Sequence, residues 1–309
     1  MRIGSLVLTT AIVLAFGGYH LPVMPLASAA TEPPSLAVGP QYDTAHVYVA
    51  PEKFDVFVAS LISTFGGTTS KQGVFTVTPT VSSTMSQLVL TPVGTISVFG
   101  FKTPVPYPFG AERTGYLVND LDSAIQSARA AGADVIVNSF NDPIGRDAVI
   151  QWPGGVNSQL YWHTTAPSYT LLQTIPENRV YVSPDRVAAF VKSFVAFAHG
   201  KVTADEMRAP GIEIGRPADT YHRIRIESTF GKVTVLVTDG HLPYPYGRET
   251  TGYEVGGLME TVAKAKAAGA VILIPPYTSS QRDAAFVSFP GGYIAEIHSA
   301  ARKKATRSP

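Results

Sequence analysis

The sequence contains no cysteine among its 309 residues. Without thiols there is no disulfide framework, no cysteine nucleophile, no thiolate metal site and no lipid-carrying cysteine of a lipoprotein. An excess of one charge is also missing, because 24 Lys and Arg residues balance 23 Asp and Glu residues. Nucleic-acid binding needs a clustered basic face, so this balance predicts that nucleic acid is not a partner.

Several motifs of common enzyme classes are missing as well. The sequence has no Gly-rich phosphate loop, no G-x-S-x-G turn and no H-E-x-x-H helix motif. Apolar residues nevertheless make up 45% of the chain, which is enough for well-packed cores. The sequence therefore predicts a globular protein whose function must be sought in less familiar patterns.

The N-terminal segment 1–29 has the pattern of a secretory signal peptide. Arg2 supplies the positive charge, Ile3 to Phe16 form a mostly apolar run, and Ala27-Ser28-Ala29 is an A-x-A cleavage site. The alternative is a membrane anchor, but the apolar run is shorter than the ~20 residues that span a bilayer. We expect cleavage, a secreted or periplasmic protein, and no membrane association of the mature form.

The remaining chain repeats itself at a long, constant interval. Pro106-Tyr107-Pro108 recurs as Pro243-Tyr244-Pro245, and Thr114-Gly115-Tyr116 recurs as Thr251-Gly252-Tyr253, a shift of 137 residues (243 − 106). A period this long has the size of a whole domain. The expected organisation is a linker (30–41), a first copy (42–165), a connection (166–176), a second copy (177–300) and a polar tail (301–309).

Each copy has the pattern of two consecutive β-α-β-β-β units. In the first unit, a strand near 46–49 precedes a helix over 51–65 and strands over 73–78, 86–91 and 94–101. In the second unit, Asp120 caps a helix that Gly132 ends. The second copy repeats this order, with helices expected over 184–198 and 258–268.

Short motifs at these junctions resemble those of one known family. The first copy has Val118-Asn119-Asp120-Leu121 at a strand-to-helix junction, Ala131-Gly132-Ala133 at a helix end, and Gly145-Arg146-Asp147 followed by Pro153-Gly154-Gly155 before the last strand; the second has Ala268-Gly269-Ala270, Arg282-Asp283 and Pro290-Gly291-Gly292. In combination they resemble the glyoxalase/bleomycin-resistance family, or vicinal oxygen chelate superfamily. The resemblance implies an α+β fold of tandem glyoxalase-like domains, each two β-α-β-β-β units in a cupped mixed sheet.

The resemblance also implies a divalent metal in each cup, and the sequence departs from the expected ligands. The usual histidine positions hold Thr44 and Arg113 in copy one, and Glu177 and Thr250 in copy two. The final-strand position holds Gln159 in copy one and Glu296, which matches the family's ligand carboxylate, in copy two.

The second copy offers one set of three candidate metal ligands. Glu177, Glu296 and His298 can face the same cup, and a catalytic metal usually needs three protein ligands. The alternative is that Arg179, which faces that cup, pairs with the carboxylates in a partly buried ion-pair network. One divalent metal is thus the only cofactor that the sequence suggests.

The first copy offers candidate residues for an organic ligand: His46, Arg113, Gln159, Tyr161 and His163. Aromatic residues lining a cup favour a small-molecule pocket. Glu112 and Glu249, which match at the 137 shift, are candidate general bases or else strand-edge carboxylates. We also match Arg146-Asp147 with Arg282-Asp283, as residues that join the final strands.

Two functions remain open from the sequence. The first is metal-free binding of a small organic molecule, as in the bleomycin-resistance branch of the family. The alternative is a metal-dependent lyase, isomerase or dioxygenase with an atypical ligand set. A third, pseudo-enzyme role would act through protein contacts.

Overall fold

The computed structural model describes residues 35–280 and 282–301, so the predicted signal peptide lies outside it. The described chain is an α+β fold of two mixed sheets, one with nine strands and one with eight. No helix among these residues is both long enough and apolar enough to cross a membrane.

Each sheet takes all of its strands from one copy. The first contains β1 (Thr44–Tyr48), β2 (Thr68–Thr69), β3 (Gly73–Phe75), β4 (Thr84–Thr91), β5 (Gly94–Phe101), β6 (Thr114–Leu117), β7 (Asp134–Asn141), β8 (Gly145–Gln151) and β9 (Asn157–His163). The second contains β10 (Glu177–Val182), β11 (Lys201–Pro210), β12 (Thr220–Ser228), β13 (Gly231–Val237), β14 (Thr250–Glu254), β15 (Val271–Ser279), β16 (Arg282–Ser288) and β17 (Ile294–Ala300).

Four α-helices connect these strands. They are α1 (Phe54–Phe65), α2 (Leu121–Ala130), α3 (Val187–Ala198) and α4 (Leu258–Ala267), with short 3-10 turns at Pro51–Lys53 and Gly211–Ile214. The Asp120 side chain caps α2 by accepting a hydrogen bond from the Ser123 N–H at 2.7 Å. Gly132 follows the end of α2 with φ 99°, a conformation that favours glycine. Both ends of this helix confirm the prediction.

The strand order is the same in both sheets. The first runs β2-β4-β5-β1-β6-β9-β8-β7 and the second β11-β12-β13-β10-β14-β17-β16-β15. In the first, β1 is parallel to β5, β6 is parallel to β9, and β1 and β6 are antiparallel neighbours. Each sheet is therefore two β-α-β-β-β units joined through their first strands, which confirms the predicted fold class.

The pairing register shows which positions of the copies are equivalent. Gly115 pairs with Gln159, and Gly252 pairs with Glu296, which preserves the shift of 137. The first strands differ, because Thr44 pairs with Gly115 and Glu177 with Gly252, a shift of 133 (177 − 44). The copies thus differ by four residues in length between their first and later strands.

The hydrophobic cores are shared between the copies. Phe57 and Leu61 of α1 belong to the same buried cluster as Leu258 and Val262 of α4. A second cluster joins the α2 side of copy one to the α3 side of copy two. Because the helical faces of both sheets are buried in this way, the other face of each sheet is left for a site.

One strand is shorter than predicted. The strand expected over 73–78 ends at Phe75, and the following residues form a loop around Ser82. Thr76 Oγ1 donates to the Ser82 carbonyl at 2.9 Å, and the Val77 N–H donates to Ser82 Oγ at 3.3 Å. Side chains in this loop form hydrogen bonds with backbone groups that would otherwise pair with a neighbouring strand. Pro79 has no N–H with which to continue the strand pairing.

Candidate ligand-binding site

The face of the first sheet opposite the helices holds a cavity of about 140 Å³, which we call cup one. Its apolar wall is formed by Phe75, Val77, Leu88, Phe99, Phe109, Ile144 and Tyr169. Its polar groups include Thr44, His46, Asp142, Asp147, Gln159, Tyr161 and His163. An engineered cavity of about 150 Å³ in another protein binds benzene, so a space of this size accommodates one aromatic ring.

Strand alternation places these side chains. On β1, Ala45 and Val47 are buried in the helix-side core, whereas Thr44, His46 and Tyr48 line cup one. On β9, Leu160 faces the core, and Gln159, Tyr161 and His163 line the cup. The predicted orientation of Tyr161 and His163 toward the cup is therefore confirmed.

A buried carboxylate holds His46 at the floor of cup one. His46 is 2% exposed and Glu112 is fully buried, and Nδ1 of His46 lies 3.4 Å from Glu112 Oε1. Tyr48 donates its hydroxyl to the same carboxylate oxygen. The edge-on ring of Phe99, 5.4 Å from the imidazole between ring centres, fixes the other side of His46.

Glycine at position 115 makes room for this imidazole. A Cβ at Gly115 would lie 2.3 Å from His46 Nε2 and 2.9 Å from Thr44 Oγ1. Any side chain at position 115 would therefore displace the groups on the cavity floor.

The opposite wall of cup one disfavours charge. Burial raises the pKa of Asp147 well above its ordinary value, and the nearby Asp142 adds to the shift, although a hydrogen bond with Gln159 opposes it. Burial also lowers the pKa of His163, although Asp142 opposes that shift. Both groups are therefore biased toward their neutral forms, which suits an uncharged ligand.

The corresponding face of the second sheet, which we call cup two, contains an ion-pair network. Arg282 makes a bidentate contact with Glu177, at 2.7 and 2.9 Å, and lies 3.0 Å from Glu296. Arg179 lies 2.8 Å from Glu296 and 3.5 Å from Glu177. His298 Nδ1 is 3.1 Å from Glu296. All five side chains are largely buried.

In this network the two arginines balance the charge of the two glutamates. Burial acts to raise the pKa of Glu296, but Arg179 and His298 outweigh it and hold that pKa at about 2. Arg282 likewise outweighs burial and keeps the pKa of Glu177 far below its ordinary value. Both carboxylates are therefore ionised and paired at neutral pH.

A second network extends cup two toward its outer strands. Arg223 pairs with Glu213 and, at 2.5 Å, with Glu206. Tyr221 donates its hydroxyl to Glu213 at 2.6 Å, and Ser279 donates to the other oxygen of that carboxylate at 2.5 Å. Arginines and their partners thus line cup two, and a cavity of about 180 Å³ there is bordered by Glu177, Arg225 and Arg282.

The predicted match of Arg146-Asp147 with Arg282-Asp283 is wrong by one residue. Gly145 pairs with His163, and Arg282 pairs with Ala300, so Arg282 is equivalent to Gly145 (282 − 137). A one-residue slip turns a strand side chain to the other face. Arg146 accordingly bonds Asp122 on α2, whereas Arg282 enters cup two and Asp147 enters cup one.

The candidate ligands in cup two do not fit a divalent cation. Arg179 and Arg282 occupy lone pairs of both Glu177 and Glu296, and a guanidinium only donates and would repel a metal. Within residues 35–280 and 282–301, no three His, Asp or Glu side chains converge as metal ligands. The geometry favours the alternative reading, in which these carboxylates belong to an ion-pair network.

Four of the five residues predicted to bind an organic ligand line cup one together: His46, Gln159, Tyr161 and His163. Arg113 lies elsewhere, in a separate cavity of about 100 Å³ that also contains Glu249. Burial raises the pKa of Glu249 to about 7, although Arg113 opposes this shift. Glu112 contacts His46 and Tyr48, so the two matched glutamates have different surroundings.

Tyr48 and Asp147 are among the cup-one residues that sequence reasoning missed. Tyr48 lies two residues after His46, and the alternation rule alone could have placed it in the cup. In the sequence analysis, Asp147 is treated as a residue that joins the final strands, because the neighbouring Arg146 is aligned with Arg282.

Comparisons with solved structures test the fold directly. A 4-hydroxymandelate synthase mutant from Streptomyces coelicolor superposes with TM-score 0.56 at 13% identity, over 88% of this chain and 94% of that one. The chain has the vicinal oxygen chelate fold. The 2,3-dioxygenase LapB from Pseudomonas sp. KL28 gives TM-score 0.51 at 11% identity, over 89% of this chain and 96% of that one.

A glyoxalase from the same structural class matches as well. The Mn(II)-bound enzyme from Novosphingobium aromaticivorans gives TM-score 0.50 at 14% identity, over 86% of this chain and 83% of that one. No family model matches the chain, and no curated protein shows significant similarity to it. At these identities the likeness establishes the vicinal oxygen chelate fold, and function has to be argued from the cups.

Proposed function

We propose that the protein binds a small, uncharged ring compound in cup one, without a metal ion. One observation carries the proposal: cup one is an open, largely apolar cavity of about 140 Å³ with a few polar groups. Pockets of this composition are typical of small-molecule sites. Asp147 and His163 support an uncharged ligand, because burial favours the neutral form of both.

Cup two supports the same assignment by contrast. Its equivalent positions carry arginine side chains paired with the two glutamates, and these guanidinium groups would repel a divalent cation. A metal-dependent lyase, isomerase or dioxygenase would need three converging ligands and an open position, and no such group forms within the part of the chain that the structure describes. Metal-free binding therefore accounts for more of the residues in the two cups than metal-dependent catalysis does.

A binding titration with benzene or toluene tests this proposal. We expect saturable heat by calorimetry and a raised melting temperature, both unchanged after treatment with EDTA. Leu88→Arg puts an arginine where cup two has Arg225 and should abolish binding, whereas Leu88→Met keeps an apolar wall and should retain it. Failure of every single-ring probe to bind the wild-type protein, or loss of binding with EDTA, would contradict the proposal.

We also propose that the protein acts outside the cytoplasm. The support is the signal-peptide pattern of residues 1–29. N-terminal sequencing of protein from its native host should give a mature start near Ala30. A mature chain that keeps Met1 to Phe16 would refute export by cleavage.

A further inference from the structure

The polar floor of cup one specifies what its ligand must offer, and we propose that the ligand donates an N–H or O–H hydrogen bond to Nε2 of His46. The inference rests on the proposed binding function and adds the chemical class: an uncharged ring compound with a hydrogen-bond donor. It depends on which nitrogen of His46 carries the proton.

Glu112 determines that tautomer. Its Oε1 accepts a hydrogen bond from the Tyr48 hydroxyl. Nδ1 of His46 lies 3.4 Å from the same oxygen and faces this acceptor, so it supplies a second donor. In neutral imidazole the other nitrogen, Nε2, is then an acceptor.

His46 lines the cavity, and its Nε2 lies at the cavity floor. It lies over Gly115, beside Thr44 Oγ1, in space that a Cβ would fill. The Phe99 ring and the Glu112 carboxylate prevent the imidazole from turning away. Among the described residues no side chain donates to Nε2, so a ligand that offers no donor would leave it without a partner, and an unpaired buried acceptor weakens binding.

Copy two provides an internal contrast. The equivalent of His46 is Arg179, which only donates and is already paired with Glu296. The equivalent of Glu112 is Glu249, which lies in the separate cavity near Arg113. The Glu112–His46 contact is therefore not repeated at the equivalent positions of copy two, where the buried imidazole of His298 instead contacts Glu296 within the ion-pair network.

Isomeric probes test the proposal. We expect 2-methylpyrrole to bind about tenfold more tightly than 1-methylpyrrole, and 4-methylphenol about tenfold more tightly than methoxybenzene, which is the scale of one hydrogen bond. Each pair has one composition and differs in the donor. His46→Phe should remove both preferences, whereas His222→Phe, the same exchange in copy two, should keep them.

A spectroscopic measurement on the wild-type protein avoids any folding defect of the variants. The ¹⁵N chemical shifts of His46 should report a protonated Nδ1 and an unprotonated Nε2. A protonated Nε2, or equal affinity for both isomers of each pair, overturns this inference while leaving the proposed function intact. If no single-ring probe binds at all, the proposed function fails and takes the inference with it.

Discussion

The two cups share the same strand order but have chemically different interiors. The pairing register makes four arginines of cup two equivalent to smaller or uncharged residues of cup one: Arg179 to His46, Arg223 to Ser86, Arg225 to Leu88 and Arg282 to Gly145. Glu177 and Glu296 replace Thr44 and Gln159 in the same way. Guanidinium and carboxylate groups consequently line cup two, where Glu177, Arg225, Arg282 and His298 border a cavity of about 180 Å³, whereas the cavity of cup one is largely apolar.

The difference shows where this fold is free to vary. Packing depends on the helix-side faces, which form cores shared by both copies, so those positions remain apolar in each copy. Residues facing the cups contribute less to that packing. They can diverge as long as every buried charge finds a partner. The comparison predicts that the cups depend on different interactions for their stability.

Removing one arginine from cup two should produce the largest effect. Arg179→Met leaves Glu177 and Glu296 buried with Arg282 as the remaining neighbouring guanidinium. Breaking a buried pair in this way typically costs about 3–5 kcal/mol of unfolding free energy. The equivalent change in cup one, His46→Met, should cost about 1–2 kcal/mol, because it removes a hydrogen bond without stranding a pair of charges.

Urea unfolding at pH 7 measures both variants. Arg179→Met/Glu296→Leu should recover part of the loss, since it removes a stranded carboxylate along with the arginine. Equal destabilisation by Arg179→Met and His46→Met would mean that the ion-pair network contributes no more than the hydrogen bond in cup one.

Acid should weaken the protein through cup two. The pKa of Glu296 falls from 4.5 to about 2, so the unfolded chain binds a proton more readily than the folded one. This stabilisation is complete above about pH 4.5 and is lost as the pH falls toward 2. Its upper limit is about 3 kcal/mol, because each pKa unit corresponds to ~1.4 kcal/mol.

A pH series of urea unfolding between pH 5 and 2 tests this expectation. Glu296→Gln should be less stable than wild type at pH 5 and should lose less stability on acidification. Glu52→Gln, the same exchange at an exposed position, should follow the wild-type curve. A Glu296→Gln curve parallel to that of the wild type would exclude Glu296 as the source of the acid sensitivity.

The sequence predicted the fold because strand alternation is a local pattern and because the junction motifs, repeated at a constant shift, resemble those of a known family. Thr44, Gln159, Glu177 and Glu296 were placed correctly in their cups from a motif and a period of two. The partners of Glu177 and Glu296 were harder to predict, because Arg282 reaches them from a neighbouring strand and its alignment depended on register. Arg113 was misplaced because proximity in sequence to the cup does not determine which cavity a long side chain enters.

The smallest expected effect concerns the matched pair Glu112 and Glu249. Glu112 accepts hydrogen bonds in cup one, whereas burial raises the pKa of Glu249 from 4.5 to about 7. A raised carboxyl pKa means that the folded state prefers the protonated form, so this contribution is complete below about pH 4.5 and is lost as the pH rises through 7. Glu249→Gln should therefore match wild-type stability at pH 5 and exceed it by about 1–2 kcal/mol at pH 8, a value reduced for partial exposure. Urea unfolding at the two pH values measures this difference, and Glu254→Gln, at the partly exposed far end of the strand that follows Glu249, provides the control. If Glu249→Gln is no more stable than wild type at pH 8, burial does not disfavour the ionised form of Glu249. Glu249 then differs from Glu112 only in its position.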